Sequence, residues 1–115
     1  MKRPDSIIFK VVSADQWKTA QGQGEFHGAA IDLSDGYIHF STPEQVEETV
    51  EKHFAGQADL LLVGVDPSTL GEDLKWEPSR GGALFPHLYN SLKLDSVVSV
   101  DEPKLGDDDR HIFPD

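Results

Sequence analysis

Residues 36–45, GYIHFSTPEQ, contain a strand-to-helix junction from which the rest of the sequence can be interpreted. Polar-capable residues alternate with apolar ones here, as in a β-strand whose two faces differ. The polar-capable face carries Tyr37, His39 and Ser41. Thr42 follows as a helix N-cap, with Pro43 at the first helical position and Gln45 at the capping-box position. The segment therefore predicts a strand with one polar face that leads directly into a helix.

The helix that begins at residue 43 has one apolar stripe. Val46, Val50 and Phe54 recur at helical spacing and are expected to be buried. The glutamates between residues 44 and 51 fall mainly outside this stripe and are expected to face solvent. Gly56 is expected to end the helix.

Further strands are predicted at residues 6–12, 59–66, 74–77, 92–94 and 96–100. Ser13 and Gln16 have capping-box spacing and predict a second helix that ends near Gly22. Residues 25–35 show no clear periodicity, and residues 85–89 are too proline-constrained to assign. Because strands outnumber helices, we expect an α+β fold with mixed or antiparallel sheets and two main helices.

Length and composition favour one domain over residues 1–115. Residues 101–115 form an acidic tail that is expected to dock in part through Ile112 and Phe113. The absence of cysteine excludes disulfides and cysteine-ligated metals. A net charge of −11 argues against a long nucleic acid as a partner. No apolar run has the length of a signal or a membrane span, so we expect a cytoplasmic protein with no membrane partner.

Three side chains that can exchange protons are the candidate catalytic residues: Glu77, His39 and His87. In the strand at residues 74–77, Glu77 shares a face with Lys75, and Trp76 is expected to point into the core. Each candidate lies on the polar side of a strand or just after one. We therefore expect the three to converge on one cleft. The alternative is a hydrogen-bonded core histidine, a surface glutamate and a hydrophobic plug around His87.

The candidate ligand contacts are Lys10, Ser41, Thr42, Arg80, Phe85 and Tyr89. Ser41 and Thr42 stand at a helix N-terminus, which suits a phosphate or another anion, although capping alone also explains their hydroxyls. Phe85 and Tyr89 supply aromatic surface for a pocket wall. A zinc-like set of His39, His87 and Glu77 is a further hypothesis, but no HxH or HExxH spacing supports it and no metal ligand is assigned.

The segments GYIHFSTPEQ at 36–45, WEP at 76–78 and FPHLY at 85–89 resemble the hallmarks of the domain-of-unknown-function 952 family. The resemblance runs from the first strand to about Val100. It implies an ADP-ribosylation-like fold, in which two small sheets form a cleft for the nicotinamide half of NAD. It also implies that Lys10 replaces a first-strand His or Arg, that Ser41 and Thr42 replace a Ser-Thr-Ser element, and that Glu77 is the glutamate that hydrogen-bonds the ribose.

Three functions follow as hypotheses. The first is a cleft for a nucleotide or another phosphorylated small molecule, with NAD-related ribosyl chemistry and NAD as ligand or substrate; no cofactor is assigned. The second is a non-catalytic ligand-binding or interaction domain, and the third is a His/Glu metal-dependent hydrolase. Glu77 discriminates between the first two, because contact with His39 or His87 favours an enzyme and a solvent position favours a binding domain. No oligomeric state is predicted.

Overall fold

The computed structural model describes residues 7–54, 56–57, 59–78, 83–102, 104–105 and 111–112. Arg80 and Phe113 lie outside these residues. The helices and strands follow one another as β1 (Ile8–Ser13), α1 (Ala14–Gln23), β2 (Glu25–Phe26), α2 (Ala30–Asp35), β3 (Ile38–His39), α3 (Pro43–His53), β4 (Leu60–Val65), β5 (Leu74–Pro78), β6 (Leu84–Leu88), β7 (Leu92–Lys93), β8 (Val97–Asp101), β9 (Lys104–Leu105) and β10 (His111–Ile112). This is the predicted α+β class, and the described residues contain both expected helices, α1 and α3, together with the short α2.

The first sheet has the strand order β1-β4-β8 and is antiparallel throughout. Its central strand β4 is the continuous apolar run predicted at residues 59–66, and it is covered on both faces. On one face, α3 packs Val46 and Val50 against β1 and β4. On the other face, Ile8 and Val12 join the larger core cluster with α1 and the second sheet. The expected stripe of α3 is therefore confirmed, except that Phe54 is only half-buried.

The second sheet has the order β3-β6-β5 and is also antiparallel. Its central strand β6 is the segment that sequence analysis left unassigned. Pro86 has no N–H to donate, yet its carbonyl accepts the N–H of Phe40 at 2.9 Å. The proline therefore still pairs with the segment that follows β3. Trp76 corrects another expectation, because it is 45 % exposed rather than in the core. It lies on β5, which is an edge strand and extends beyond the apolar interior.

The caps of the two long helices differ from each other. Ser13 forms the predicted capping box, accepting the N–H of Gln16 at 3.1 Å and donating its own N–H to the Gln16 side chain at 2.9 Å. At α3 the Gln45 side chain accepts the Thr42 N–H at 3.0 Å. Thr42 is the N-cap residue, as predicted, but its hydroxyl makes no capping hydrogen bond among the described residues. The carbonyl of Thr42 accepts the Gln45 N–H instead, at 3.0 Å.

Helix α2 was not predicted, and it brings a buried acid to the second sheet. The chain turns into it at Gly28, whose φ of +121° is rarely adopted by residues that carry a side chain. A Cβ at Gly28 would also lie 3.0 Å from the Cβ of Asp32. Glycine is therefore needed here to seat α2 closely under the preceding turn.

Among the described residues, no helix combines the length and the apolar character needed to cross a bilayer.

Candidate functional site

One face of the second sheet carries the three candidate catalytic residues. The strand register places His39 opposite His87 and Glu77 opposite Phe85, and residues directly opposite one another share a sheet face. The ring centres of His39 and His87 are 5.5 Å apart, with the rings edge to face. The His87 Nδ1 atom lies 2.8 Å from Glu77 Oε1. The structure thus brings the three side chains together as expected, while their catalytic role stays a prediction.

Glu77, His87 and Tyr89 form one hydrogen-bonded unit. Glu77 Oε1 also accepts the Tyr89 hydroxyl at 2.7 Å. The hydrogen bond with His87 and then the one from Tyr89 lower the pKa of Glu77. The same bond raises the pKa of Tyr89 to about 12, because the phenolate would face a carboxylate. Glu77 is therefore an anion at neutral pH, and within the described part of the chain its Oε2 atom has no hydrogen-bond partner.

Tyr37 covers the His87 ring. The two rings are stacked, with centroids 4.2 Å apart and planes inclined by 27°. Tyr37 also contacts His39 at 4.7 Å and Tyr89 at 5.1 Å, measured between ring centroids. Burial raises the pKa of Tyr37, and the nearby Asp35 and Glu77 carboxylates raise it further. Strand alternation had predicted Tyr37 on this face, but Tyr37 was not among the predicted site residues.

Asp32 is the main site residue that sequence analysis missed. It is 2 % exposed, and its carboxylate lies 2.6 Å from His39 Nδ1. It also accepts the backbone N–H of Ala29 at 2.7 Å and that of His39 at 3.1 Å. The Lys10 ammonium completes the shell, 3.0 Å from Oδ1 and 2.9 Å from Oδ2. The segment 25–35 gave no periodicity, so only the short spacing from Asp32 to His39 could have suggested this contact.

Burial and the charge of the partner act in opposite directions on the pKa values of Lys10 and Asp32. Burial lowers the pKa of Lys10 in spite of the attraction of Asp32. For Asp32, burial acts to raise the pKa, but the hydrogen bond of His39, the charge and hydrogen bond of Lys10 and the N–H of Ala29 outweigh it and set the pKa at about 2. Asp32 thus stays ionised in the interior because partners surround it.

A second carboxylate contacts the other ring nitrogen of His39. Asp35 Oδ2 lies 2.9 Å from His39 Nε2, and the Asp35 side chain is 42 % exposed. His39 therefore stands between a buried acid and a surface acid.

The other candidate ligand contacts lie mostly in the interior. Lys10 is 6 % exposed, Ser41 is 4 % exposed and Phe85 is 6 % exposed. The Ser41 hydroxyl pairs with that of Thr49 at 2.9 Å, so it contacts α3 from within rather than a ligand. The structure does not support these three as ligand contacts. Tyr89, 42 % exposed, remains accessible, and Thr42 is partly buried.

An open cavity of about 240 Å³ adjoins the aromatic cluster. Tyr37 and Tyr89 form part of its wall, with Asp32 at one point of the lining. Leu33, 66 % exposed, and His27 complete the rim on the side of α2. The cavity has room for a single-ring group beside the two tyrosines.

The metal hypothesis lacks a ligand set in the part of the chain that the structure describes. No three His, Asp or Glu side chains there are arranged to hold a metal ion. The Nδ1 atoms of His39 and His87 are instead bonded to Asp32 and Glu77.

The low pKa of Asp32 predicts acid sensitivity. Its folded-state pKa of about 2 lies below its ordinary value of 3.8, so its contribution is present above pH 4 and is lost as the pH falls towards 2. The contribution is roughly 2 kcal/mol. Urea melts between pH 5 and pH 2 should show this loss for the wild type and a smaller one for Asp32→Asn. Equal pH dependence of the two proteins would contradict the buried carboxylate.

Solved structures resemble the chain closely. The crystal structure of protein CC0527 from Caulobacter crescentus has 48 % sequence identity and a TM-score of 0.89, covering 92 % of this chain and 93 % of that one. The solution NMR structure of CC0527 has 49 % identity and a TM-score of 0.82, covering 90 % of each chain. No curated protein matches the sequence. Residues 11–100 match the family described as "Protein of unknown function (DUF952)". The chain therefore belongs to the DUF952 family, as the sequence motifs predicted.

Proposed function

We propose that the polar face of the second sheet binds a nucleotide of the NAD type and that Glu77, His87 and His39 act on its ribosyl group. One observation carries the proposal: two imidazoles lie 5.5 Å apart, and each is hydrogen-bonded through Nδ1 to its own carboxylate. Histidines held by carboxylates are the groups that proteins use for proton transfer near neutral pH.

The neighbouring cavity supports recognition of a flat ring. Tyr37 and Tyr89 offer aromatic faces on which such a ring can stack. The Asp35 and Glu77 carboxylates make the surroundings of Tyr37 negative and add to the rise in its pKa that burial causes. A negative, aromatic site favours a positively charged ring over a bare phosphate. The oxidised nicotinamide ring of NAD has both properties.

Glu77 fits the role of stabilising positive charge at the ribose. It is ionised at neutral pH, and its Oε2 atom is unpartnered among the described residues. When the bond from the ribose carbon to the nicotinamide nitrogen breaks, the electron pair leaves with nicotinamide and positive charge develops on the ribose. Water then adds to the ribose carbon and loses a proton to a histidine or to solvent. The products are nicotinamide, ADP-ribose and a proton.

The proposal includes the ADP-ribosylation-like grouping that the family resemblance implies. The two three-stranded antiparallel sheets support it, because the site lies on one of them and its anchor, Lys10, on the other.

A non-catalytic binding domain is the second candidate, and the burial of Lys10 and Ser41 favours it. By the family resemblance, both occupy positions where transferases keep site residues. Glu77, which the resemblance equates with the ribose-binding glutamate of transferases, is then the residue of that set that stays on the accessible face. Binding of a nucleotide without cleavage would follow.

The test combines binding with product analysis. Melting temperatures should rise with NAD and with nicotinamide, and wild-type protein should release nicotinamide from NAD. Glu77→Gln should reduce that release by roughly 10² to 10³-fold, as is usual when a group that stabilises transition-state charge is removed. Lys75→Gln, on the same strand and face, is the matched control and should retain most of the release.

The outcomes separate the candidates. A rise in melting temperature without nicotinamide release selects the binding domain. No shift with NAD, ADP-ribose, nicotinamide or phosphorylated sugars would contradict the proposed site altogether.

A further inference from the structure

We propose that Asp32 is the positioning residue of His39: it holds the imidazole with its proton on Nδ1, so that Nε2 faces the ligand, and Lys10 is its buried counter-ion. The assignment of Nε2 as the ligand-facing atom rests on the proposed function. The orientation of the ring and the location of its proton do not depend on the proposed function.

The hydrogen-bond roles around Asp32 fix the proton on His39. An ionised carboxylate only accepts hydrogen bonds, and Asp32 is ionised above a pKa of about 2. The 2.6 Å contact between Asp32 Oδ1 and His39 Nδ1 therefore requires an N–H on Nδ1. The backbone N–H of His39 donates to the same oxygen at 3.1 Å, so the residue is held at two points. Such double anchoring fixes both the ring and the strand that carries it.

Asp32 is itself held rigidly. Its Oδ2 atom accepts the N–H of Ala29 at 2.7 Å, at the start of α2. Its Oδ1 atom accepts the N–H of His39 at 3.1 Å, so a backbone donor holds each of the two oxygens. A rigid, buried acceptor is what is needed to orient an imidazole, as carboxylates do for histidines in catalytic and metal sites.

Lys10 explains how the acid tolerates burial. A lone carboxylate in the interior would be strongly destabilising, but Lys10 contacts both of its oxygens and is itself buried. Lys10 belongs to the first sheet and His39 to the second, so the chain Lys10–Asp32–His39 connects the core between the sheets to the site. This gives Lys10 a role in place of the ligand contact that the sequence suggested.

The two carboxylates on His39 are not equivalent. Asp32 is buried and has three partners besides the ring, whereas Asp35 is 42 % exposed. A surface contact of this kind contributes little and is easily exchanged for another partner. Both contacts are hydrogen bonds only in the doubly protonated ring, because each carboxylate needs an N–H from the imidazole. In the neutral ring the single proton stays on Nδ1 towards Asp32, and the Asp35 contact is released. We infer that a ligand atom then replaces Asp35 at Nε2 and leaves Asp32 in place at Nδ1.

A structural ion pair with no influence on His39 is the competing explanation. It predicts the same loss of stability when Asp32 is replaced. It does not predict where the neutral imidazole carries its proton, and this difference decides between the two.

The experiment is long-range ¹H–¹⁵N NMR of the imidazole nitrogens in the full chain without any ligand, at a pH where His39 is neutral. In the wild type and in Asp35→Asn, His39 Nδ1 should have the ¹⁵N shift of a protonated nitrogen and Nε2 that of an unprotonated one. In Asp32→Leu, whose side chain has no acceptor for the Nδ1–H, the form protonated on Nε2 should become the major one.

Three results would overturn the proposal. They are a wild-type proton on Nε2, an Asp32→Leu protein that keeps the proton on Nδ1, and an Asp35→Asn protein that loses it. If Asp32→Leu does not fold, the wild-type and Asp35→Asn spectra still decide. Because no ligand is used, these results are independent of whether NAD binds.

Discussion

Replacement of Asp32 with Ala is expected to lower the free energy of unfolding by about 3 to 5 kcal/mol, the usual cost of removing one partner of a buried ion pair. The substitution leaves the Lys10 ammonium, 6 % exposed, without its carboxylate. It also removes the acceptor for the His39 ring and for two backbone N–H groups. Urea denaturation followed by the fluorescence of Trp17, a core residue, measures the loss.

Asp35 is the matched control because it lies on the same helix and contacts the same imidazole. Asp35→Ala should cost less than about 1 kcal/mol, since its contact is at the surface. The double variant Asp32→Leu with Lys10→Met should recover part of the loss, because no buried charge is left uncompensated while the N–H groups of Ala29 and His39 still lack their acceptor. Similar losses for Asp32→Ala and Asp35→Ala, or no recovery in the double variant, would contradict a buried ion pair.

The same cluster shows the limits of reading the sequence. Lys10 could be recognised as a charge inside a buried strand, but its partner could not, because Asp32 is 22 residues away in a segment without periodicity. A six-residue helix has too few turns to show an apolar stripe. Lys10 was therefore predicted to contact a ligand, whereas its partner is the buried carboxylate of Asp32.

Local signals were reliable where they depend on neighbouring residues. The Ser13 capping box, the start of α3 and the alternation through His39 all correspond to structure that residues within one or two turns determine. The convergence of His39, Glu77 and His87 followed from the same alternation, since strands that pair keep their polar faces together.

Strand order is what the local patterns could not supply. Segment 85–89 was left unassigned because proline is rare in central strands, yet β6 lies between β3 and β5 and uses Pro86 only as an acceptor. Trp76 was placed in the core because it alternates along the strand with Lys75 and Glu77. Whether its side of the sheet is covered depends on β5 being the edge strand, which no local pattern indicates.

Phe40 and Trp76 provide the second large expected effect. Both flank Pro86 in the second sheet, since Phe40 donates its N–H to the Pro86 carbonyl and Trp76 pairs with Pro86 in the register. Phe40 is 2 % exposed and belongs to the main core cluster, so Phe40→Ala should cost about 3 to 5 kcal/mol through lost burial and the cavity left behind. Trp76 is 45 % exposed, so its side chain buries far less surface than that of Phe40. Trp76→Ala should therefore cost about 1 kcal/mol.

The comparison between these two aromatics tests the strand order as well as the burial. Both variants can be melted in urea and followed by far-UV circular dichroism, which does not depend on the tryptophan that one of them lacks. If β5 is the edge and β3 lies against the core, Phe40→Ala must be the more destabilising change by at least about 2 kcal/mol. Equal losses would mean that Trp76 is covered, which would contradict its place on an exposed edge strand. Glu77 alternates with Trp76 along β5 and would keep its place on the opposite, site-bearing face.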